Sequence, residues 1–221
     1  MSNLENLRDA LIAELKDIYS AEQQLVKALP EMEKKAKSPE LKKAIRSHLG
    51  ETQKQVKRLD QAATLLKTKL TGKVCKGMEG LIQEGKEAVK EKSSNEAVID
   101  SLIIGAAQRV EHYEIAAYGT ARAMAEELGE DDLVELLSES LSEESDADEL
   151  LSQISLSSVL PQANGSEAGD DDEDEDEDED SEDDEEGADD ELEGDDEGDD
   201  DEDEEDADEE LEDDEEDAKR D

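Results

Sequence analysis

The sequence lacks the residues from which several fold classes are built. Among 221 residues there is no tryptophan, no phenylalanine, three tyrosines and a single cysteine, Cys75. A core must therefore come from Leu, Ile, Val, Ala and Met, which favours helices packed on helices over a β-sandwich. One cysteine excludes a disulfide or a thiolate cluster within the chain. It suits a reducing compartment, so we expect a cytoplasmic location.

Long apolar runs are also absent. No stretch approaches the roughly eighteen consecutive apolar residues that a membrane span needs. The first residues, MSNLE, contain no basic segment followed by an apolar run. We therefore expect neither a membrane span nor a secretory signal.

Basic residues are scarce at one end of the chain. Residues 166–221 carry 42 of the 72 acidic residues against Lys219 and Arg220, a net charge of −40, whereas residues 1–165 carry −9. The acidic segment has almost nothing apolar to bury. We predict one folded domain over residues 1–155, then a linker and a disordered Asp/Glu-rich tail over residues 156–221. This charge would repel phosphates, so we expect no binding to nucleic acid.

The folded part contains amphipathic segments with helix start and stop signals. A Ser2–Glu5 capping pair opens the first helix, and Pro30 predicts a kink or short break before the helix resumes to about Lys37. Its inward row is Leu4, Leu7, Leu11, Leu15, Ile18, Glu22, Leu25 and Leu29. Ser38-Pro39 opens a second helix that runs to about Leu70.

A shorter amphipathic segment, residues 73–92, separates this pair of helices from a second pair. The third long helix begins at Ser94 or Asn95 and stops at Gly129, and the fourth begins at Asp131 or Asp132 and fades near Ile154. The chain is therefore predicted to be all-α, an antiparallel four-helix bundle with a crossover that carries a short helix.

Carboxylates interrupt the apolar stripes of all four long helices. Glu111 and Glu114 lie one turn apart inside an apolar run, where unpaired charge costs several kcal/mol. The other members of the pattern are Glu22, Glu51, Glu144 and Asp148, and His48 lies one turn before Glu51. Four helices that converge on such an oxygen-rich set could hold a dinuclear iron or manganese centre.

Three segments resemble one known family. They are residues 17–25 (DIYSAEQQL), 48–52 (HLGET) and 107–114 (AQRVEHYE). They are similar to the YciF-type stress proteins of the ferritin-like, rubrerythrin-related superfamily, and the resemblance covers residues 4–155. It implies a ferritin-like bundle with two iron or manganese ions, peroxide or dioxygen chemistry under oxidative or general stress, and a homodimer.

The related rubrerythrins have two glutamates three residues apart on helix three. On helix four they have a glutamate followed four residues later by a histidine. Glu111, Glu114 and Glu144 match these positions, and Asp148 stands where the histidine would be. The metal site implied by the resemblance is therefore rich in carboxylate and poor in imidazole.

Helix two departs from the ferritin-like pattern. That pattern would place a histidine at position 54, which is Lys54 here, and His48 is the substitute on the same face. The resemblance and the stripe positions together make Glu51 and Glu144 bridging ligands, Glu22 and Glu111 terminal ligands, and Glu114 and Asp148 further ligands or a proton relay. No residue is assigned a catalytic role.

The sequence is also compatible with a second class of function. In this class the bundle is a metal-free helical scaffold, and the polyanionic tail binds basic protein partners or solvates the protein at high salt. The presence of stoichiometric metal in the bundle would separate the two classes.

Overall fold

The computed structural model describes residues 4–165, all of which lie in one compact unit. Its helices are α1 (Leu7–Lys35), α2 (Pro39–Leu65), α3 (Lys76–Ala88), α4 (Glu96–Glu127), α5 (Asp131–Ile154) and α6 (Leu160–Ala163), with a π-helical turn at Ser155–Val159. No β-strand occurs between residues 4 and 165. The all-α prediction is confirmed. Ser2 and the acidic tail predicted to be disordered lie outside the described residues.

Helix α1 packs on α2 and on α4, and α5 packs on α2 and on α4. Glu22 meets Tyr118 near the middle of α1 and α4, whereas Lys37 after α1 meets Asp100 near the start of α4. The contacts pair higher residue numbers at the end of α1 with lower residue numbers in α4, so these two helices are antiparallel. The same relation holds between α2 and α5.

Arg46, early in α2, pairs with Glu33 near the end of α1, and Arg8 near the start of α1 donates to the carbonyl of Leu66 just after α2, so α2 is antiparallel to α1. Helices α2 and α4 consequently run in the same direction, because each is antiparallel to α1. The chain must travel the length of the bundle to join them, and it does so through residues 66–95. Helix α3 lies in this connection and packs on α4 and α1. The predicted crossover with a short helix is therefore confirmed.

Several predicted helix ends are confirmed. Each of them depends on a capping hydrogen bond or a backbone conformation within a few residues of the helix end. The Ser38 hydroxyl accepts from the backbone N–H of Leu41, with Pro39 in the first turn of α2. The Asn95 side chain caps α4 by accepting from the N–H of Ala97. After α4, Gly129 adopts φ +68°, the left-handed conformation that glycine takes most readily.

The start of α1 differs from the prediction. Asn6, not Ser2, is the N-cap, and its side chain accepts from the N–H of Asp9. The Asp9 carboxylate in turn accepts from the N–H of Glu5. The acceptor and carboxylate of a capping pair are therefore present, but four residues further along the chain.

Of the kink or short break predicted at Pro30, the break does not occur. Helix α1 continues through Pro30 to Lys35. Proline removes one donor to the carbonyl four residues earlier, and Pro30 lies on the exposed face of α1, where water can satisfy that carbonyl.

The short connections also differ from the prediction. Helix α2 ends at Leu65 instead of about Leu70, and α3 spans Lys76–Ala88 instead of residues 73–92. Lys67 adopts φ +51°, a left-handed conformation that is incompatible with a continuing α-helix.

The end of the bundle lies beyond the predicted point. Residues 156–163, predicted as part of a linker, are helical and extend α5 through the π-helical turn into α6. Val159 is buried in the core, and the Asn95 amide donates to the carbonyl oxygens of Gln162 at 3.0 Å and Ala163 at 3.3 Å. These contacts attach the end of the helix to the start of α4.

The core has two apolar halves. One contains Leu25, Leu29, Leu41, Ile45, Ile103, Ile104 and Leu151, and the other contains Leu11, Leu15, Ile18, Leu59, Tyr118, Leu133 and Leu137. Along each long helix, buried polar residues separate the two halves. We call this set the polar layer: Glu22, His48, Thr52, Gln55, Glu111, Glu114 and Glu144. None of the helices in the described residues combines the length and apolar character that a membrane crossing requires.

Candidate metal centre

Four side chains of the polar layer converge in the middle of the bundle. They are His48 from α2, Glu111 and Glu114 from α4, and Glu144 from α5, with one potential ligand atom of each lying within 4.8 Å of the others. Nε2 of His48 is 3.5 Å from Oε1 of Glu111 and 3.9 Å from Oε2 of Glu144. All four residues are buried, so each loses most of its hydration on folding.

Most of the polar atoms in this group have no hydrogen-bond partner. Both nitrogens of His48, both oxygens of Glu114, Oε2 of Glu111 and Oε2 of Glu144 are buried and unpartnered. Buried polar groups in folded proteins are nearly always paired, and orphaned ones call for an explanation. Orphaned oxygens and nitrogens that face one another in this way could serve as the ligands of a cation.

The pKa values of these side chains are also those expected of a group that could hold a cation. Burial, and then the charges of neighbouring carboxylates, raise the pKa values of Glu111 and Glu114 well above the usual range. Burial raises the pKa of Glu144 to about 7. Burial also lowers the pKa of His48 to about 4, so its imidazole is neutral at pH 7 and has a lone pair for a metal. Its contacts with the carboxylates are therefore not salt bridges.

Glu22 lies beside this group and is fully buried. The hydroxyl of Tyr118 donates to its Oε1, while its Oε2 is unpartnered. Burial and the charge of Glu144 raise the pKa of Glu22 well above the usual range, and the hydrogen bond from Tyr118 partly opposes this rise. Tyr118 therefore combines a buried aromatic ring with a hydrogen bond to a buried carboxylate.

Glu51 and Asp148 lie outside the central group. The Glu51 side chain is 32% exposed, and its Oε2 is 3.9 Å from Nδ1 of His48. The Asp148 carboxylate accepts from Nε2 of Gln108 at 3.1 Å and lies 3.5 Å from Nε2 of the exposed His112. The structure therefore brings four of the seven predicted ligands together, with Glu22 buried beside them, and places these two at the edge.

Sequence reasoning missed a polar network that supports Glu144. Gln55 donates through Nε2 to Oε1 of Glu144 and to Oε2 of Glu143, the latter at 3.1 Å. Arg58 donates two bonds to Glu143, at 2.6 and 2.7 Å, and one to Glu139. The available signal was Gln55, which lies seven residues after His48 on the inward row of α2. Because Gln55 holds one oxygen of Glu144, the other stays free toward the centre.

A second missed cluster surrounds Cys75. Its Sγ is 2.9 Å from the hydroxyl of Tyr113, and that hydroxyl also donates to Oδ2 of Asp17 at 3.0 Å. Burial raises the pKa of the Cys75 thiol, so the sulfur is a protonated packing group that also caps α3. The proximity of Asp17, Cys75 and Tyr113 depends on the crossover, so no local sequence signal marks it.

The fold and the site define the class of protein: an all-α bundle with a buried carboxylate and imidazole centre. The chain belongs to the family described as Domain of unknown function (DUF892), whose model matches residues 6–164. It is 40% identical over 162 residues to Protein YciF of Escherichia coli strain K12, covering 73% of this chain and 97% of YciF. The resemblance to the YciF-type family is therefore confirmed.

Solved structures agree with this membership. The crystal structure of the E. coli stress protein YciF matches with a TM-score of 0.67 at 38% identity, over 73% of this chain and 99% of YciF. YcfI of Rhodopseudomonas palustris, provisionally described as a structural protein, matches with a TM-score of 0.67 at 45% identity, over 70% and 98% of the two chains. The matches show the bundle, and the arrangement is consistent with the ferritin-like fold that the resemblance implied.

Proposed function

We propose that this chain binds two divalent ions, iron or manganese, in the polar layer and acts in the stress response through peroxide or dioxygen chemistry. The observation that carries the proposal is the convergence of His48, Glu111, Glu114 and Glu144 with their orphaned atoms. The 40% identity to YciF, described as a stress protein, supports the physiological setting.

Charge balance favours two ions over one. Glu22, Glu111, Glu114 and Glu144 together bring four negative charges when ionised, and neutral His48 adds none. Two divalent cations would neutralise that charge, so the carboxylates would no longer need protons at neutral pH. Oxygen ligands with one imidazole suit manganese and iron better than softer metals.

Two of the carboxylates accept a hydrogen bond from a neighbouring side chain through one oxygen, and the other oxygen of each has no partner. Tyr118 holds Oε1 of Glu22, and Gln55 holds Oε1 of Glu144, while Oε2 of each is unpartnered. Hydrogen bonds of this kind orient metal-binding carboxylates. Glu114 has both oxygens free and could hold an ion with either or both.

When bound, such ions supply Lewis acidity and redox equivalents for a small oxidant. Glu51 and Asp148 lie at the edge of the layer. They would reach a bound ion only by moving inward, so we centre the proposed ligand set on Glu22, His48, Glu111, Glu114 and Glu144.

Metal analysis of the full-length chain tests the proposal. After anaerobic loading with Fe²⁺ or Mn²⁺ and a magnesium wash to clear weakly bound ions from the acidic tail, about two ions should remain per chain. Glu111→Ala should abolish this retention, whereas Glu149→Ala, an exposed glutamate on α5, should leave it intact. Equal retention in both variants would contradict the proposal.

Melting curves provide a second measurement. Protons and metal ions compete for the same oxygens, so Fe²⁺ or Mn²⁺ should raise the melting temperature more at pH 8 than at pH 5. A melting temperature that ignores both metals at both pH values would mean that the polar layer is not a metal site.

A specific observation favours the metal-free scaffold as the second candidate. Burial and neighbouring carboxylates raise the pKa of Glu111 well above the usual range, and burial raises the pKa of Glu144 to about 7, so both side chains can hold protons near neutral pH. A protonated layer would hold the bundle together without metal, and the acidic tail would then bind basic partners or solvate the protein. In that case the chain would retain no metal, and acidification alone would stabilise it.

A further inference from the structure

One acceptor in the polar layer cannot be satisfied by gaining a proton. Gln55 on α2 is 0% exposed, and its carbonyl oxygen Oε1 has no hydrogen-bond partner among residues 4–165. The unpartnered carboxylate oxygens of the layer can each be neutralised by protonation, whereas an amide oxygen is too weak a base for that near neutral pH. A buried, unpaired acceptor is costly, so Oε1 requires a donor or a cation.

The other end of this amide determines its orientation. Nε2 of Gln55 donates to Oε1 of Glu144 and, at 3.1 Å, to Oε2 of Glu143, both on α5. Ionised carboxylates only accept hydrogen bonds, so the amide nitrogen and not the carbonyl oxygen must face them. Oε1 of Gln55 is therefore turned away from these two carboxylates.

Gln55 lies at the level of Glu22 on α1. The contacts at the two ends of α1 and α2 set the register of this antiparallel pair, and they place Gln55 opposite residues 19–24 of α1. Glu22 is the buried carboxylate in that range, and its Oε2 is also unpartnered. After burial, the charge of Glu144 raises the pKa of Glu22, so Glu22 lies near the carboxylate that Gln55 holds. Two unpaired oxygens thus share one part of the polar layer.

The hydroxyl groups nearby already donate elsewhere. Tyr118 donates to Oε1 of Glu22, and Thr52 donates to the backbone carbonyl of His48 at 2.9 Å. A hydroxyl has one proton to give, so neither can also donate to Gln55. Both oxygens of Glu114 are unpartnered, and after burial the charge of Glu22 raises its pKa, so Glu114 adds further acceptors beside Glu22. A cation would satisfy all of these oxygens together.

This part of the layer is separate from the group around His48. His48 and Gln55 are seven residues apart on α2, which corresponds to about 10 Å along the helix axis. Glu22 is not a member of the four-residue group that contains His48, whereas Glu114 is a member and also lies near Glu22. The layer therefore offers two ion positions, with Glu114 between them.

We propose that Oε1 of Gln55 is a ligand of the second of the two divalent ions, which it holds together with Glu22 and Glu114. This assignment rests on the proposed function, because it needs metal in the polar layer. An amide oxygen adds no charge, so two divalent ions still balance four carboxylates. The ion beside His48 has an imidazole ligand, whereas the ion beside Gln55 has protein oxygens only, a set that suits Mn²⁺.

Metal retention by full-length variants tests the assignment, after loading with Mn²⁺ and a magnesium wash. Gln55→Leu should lower retention from about two ions per chain to about one, because the second ion loses a ligand. Gln55→Glu keeps an oxygen at this position and loses the donor to Glu144, and it should retain about two ions. Gln61→Leu, on the exposed face of α2, is the matched control and should match the wild type. Full retention in Gln55→Leu would overturn the assignment. Equal losses in Gln55→Leu and Gln55→Glu would also overturn it, because only the donor would then matter.

Electron–nuclear double resonance gives a direct answer that does not depend on the folding of Gln55→Leu. The wild-type chain is made by cell-free synthesis with ¹³C at Cδ of its glutamines alone and is loaded with Mn²⁺. A ¹³C coupling from the ligating carbonyl should appear, persist in Gln61→Leu and be lost in Gln55→Glu, which has no label at that position.

The failures of this assignment and of the proposed function are distinguishable. A wild-type chain that retains two ions without the ¹³C coupling would overturn the assignment of Gln55 alone. A wild-type chain that retains no metal would overturn the proposed function, and the assignment of Gln55 with it.

Discussion

The buried carboxylate of Glu144 gives a quantitative prediction for the metal-free protein. Burial raises its pKa from 4.5 to about 7, and each unit of pKa corresponds to about 1.4 kcal/mol. The unfolded chain releases this proton at a lower pH than the folded chain does, so the folded state loses stability as pH rises from about 4.5 to about 7. Above pH 7 the full penalty, about 3 kcal/mol, is present.

Glu144→Gln should remove this penalty. The amide keeps the shape of the side chain, can accept from Gln55 and can donate toward Glu111, but it carries no charge. With a chelator present, the variant should be more stable than the wild type by about 3 kcal/mol at pH 8 and by less than about 1 kcal/mol at pH 5. For a chain of this size that corresponds to roughly 6–12 °C in melting temperature at pH 8.

Urea unfolding followed by circular dichroism measures the difference, because urea is uncharged and does not screen the carboxylates. Glu149→Gln on the exposed face of α5 is the matched control and should change stability by less than about 0.5 kcal/mol at either pH. If Glu144→Gln is no more stable than the wild type at pH 8, the polar layer does not penalise the charge, and the electrostatic case for a metal site is wrong.

Three further substitutions test the surroundings of the site. Tyr118→Phe should destabilise the bundle by roughly 1–3 kcal/mol, more at pH 8 than at pH 5, because it removes the donor to Glu22; urea titrations at both pH values check this. Arg58→Met should lower the free energy of unfolding by about 2 kcal/mol, because it leaves its acidic partners on α5 unpaired. The same urea titration, repeated on double variants that also remove a partner, gives the coupling energy between Arg58 and that partner. Gly77→Ala would place a Cβ 2.8 Å from Cε2 of Tyr113, so that ring should shift and the buried thiol should react faster with a thiol reagent.

The sequence alone determined the helices and most of the inward-facing carboxylates. Caps such as Ser38, Asn95 and Gly129 act through atoms within a few residues, so they can be predicted without knowledge of the fold. Glu22 and Glu111 interrupt long apolar stripes, and a 3.6-residue period places such residues inward wherever the helix packs.

Helix α2 shows where the sequence was insufficient. Glu51 and Thr52 both fall close to its apolar stripe in the sequence, and the two positions differ by about 100° around a helix. Packing against α5 buries Thr52 and Gln55 and leaves Glu51 at the edge. That choice depends on the rotation of α2 in the bundle, which residues distant in sequence determine.

Contacts between distant segments decided the remaining features. The cluster of Asp17, Cys75 and Tyr113 exists because the crossover returns past α1 and α4. The helical end of the domain exists because Asn95 donates to carbonyls some seventy residues away, which favours helix over linker in a segment rich in serine. Local propensity describes only what a segment prefers in isolation, whereas these structures depend on hydrogen bonds and buried surface that exist only once the bundle has formed.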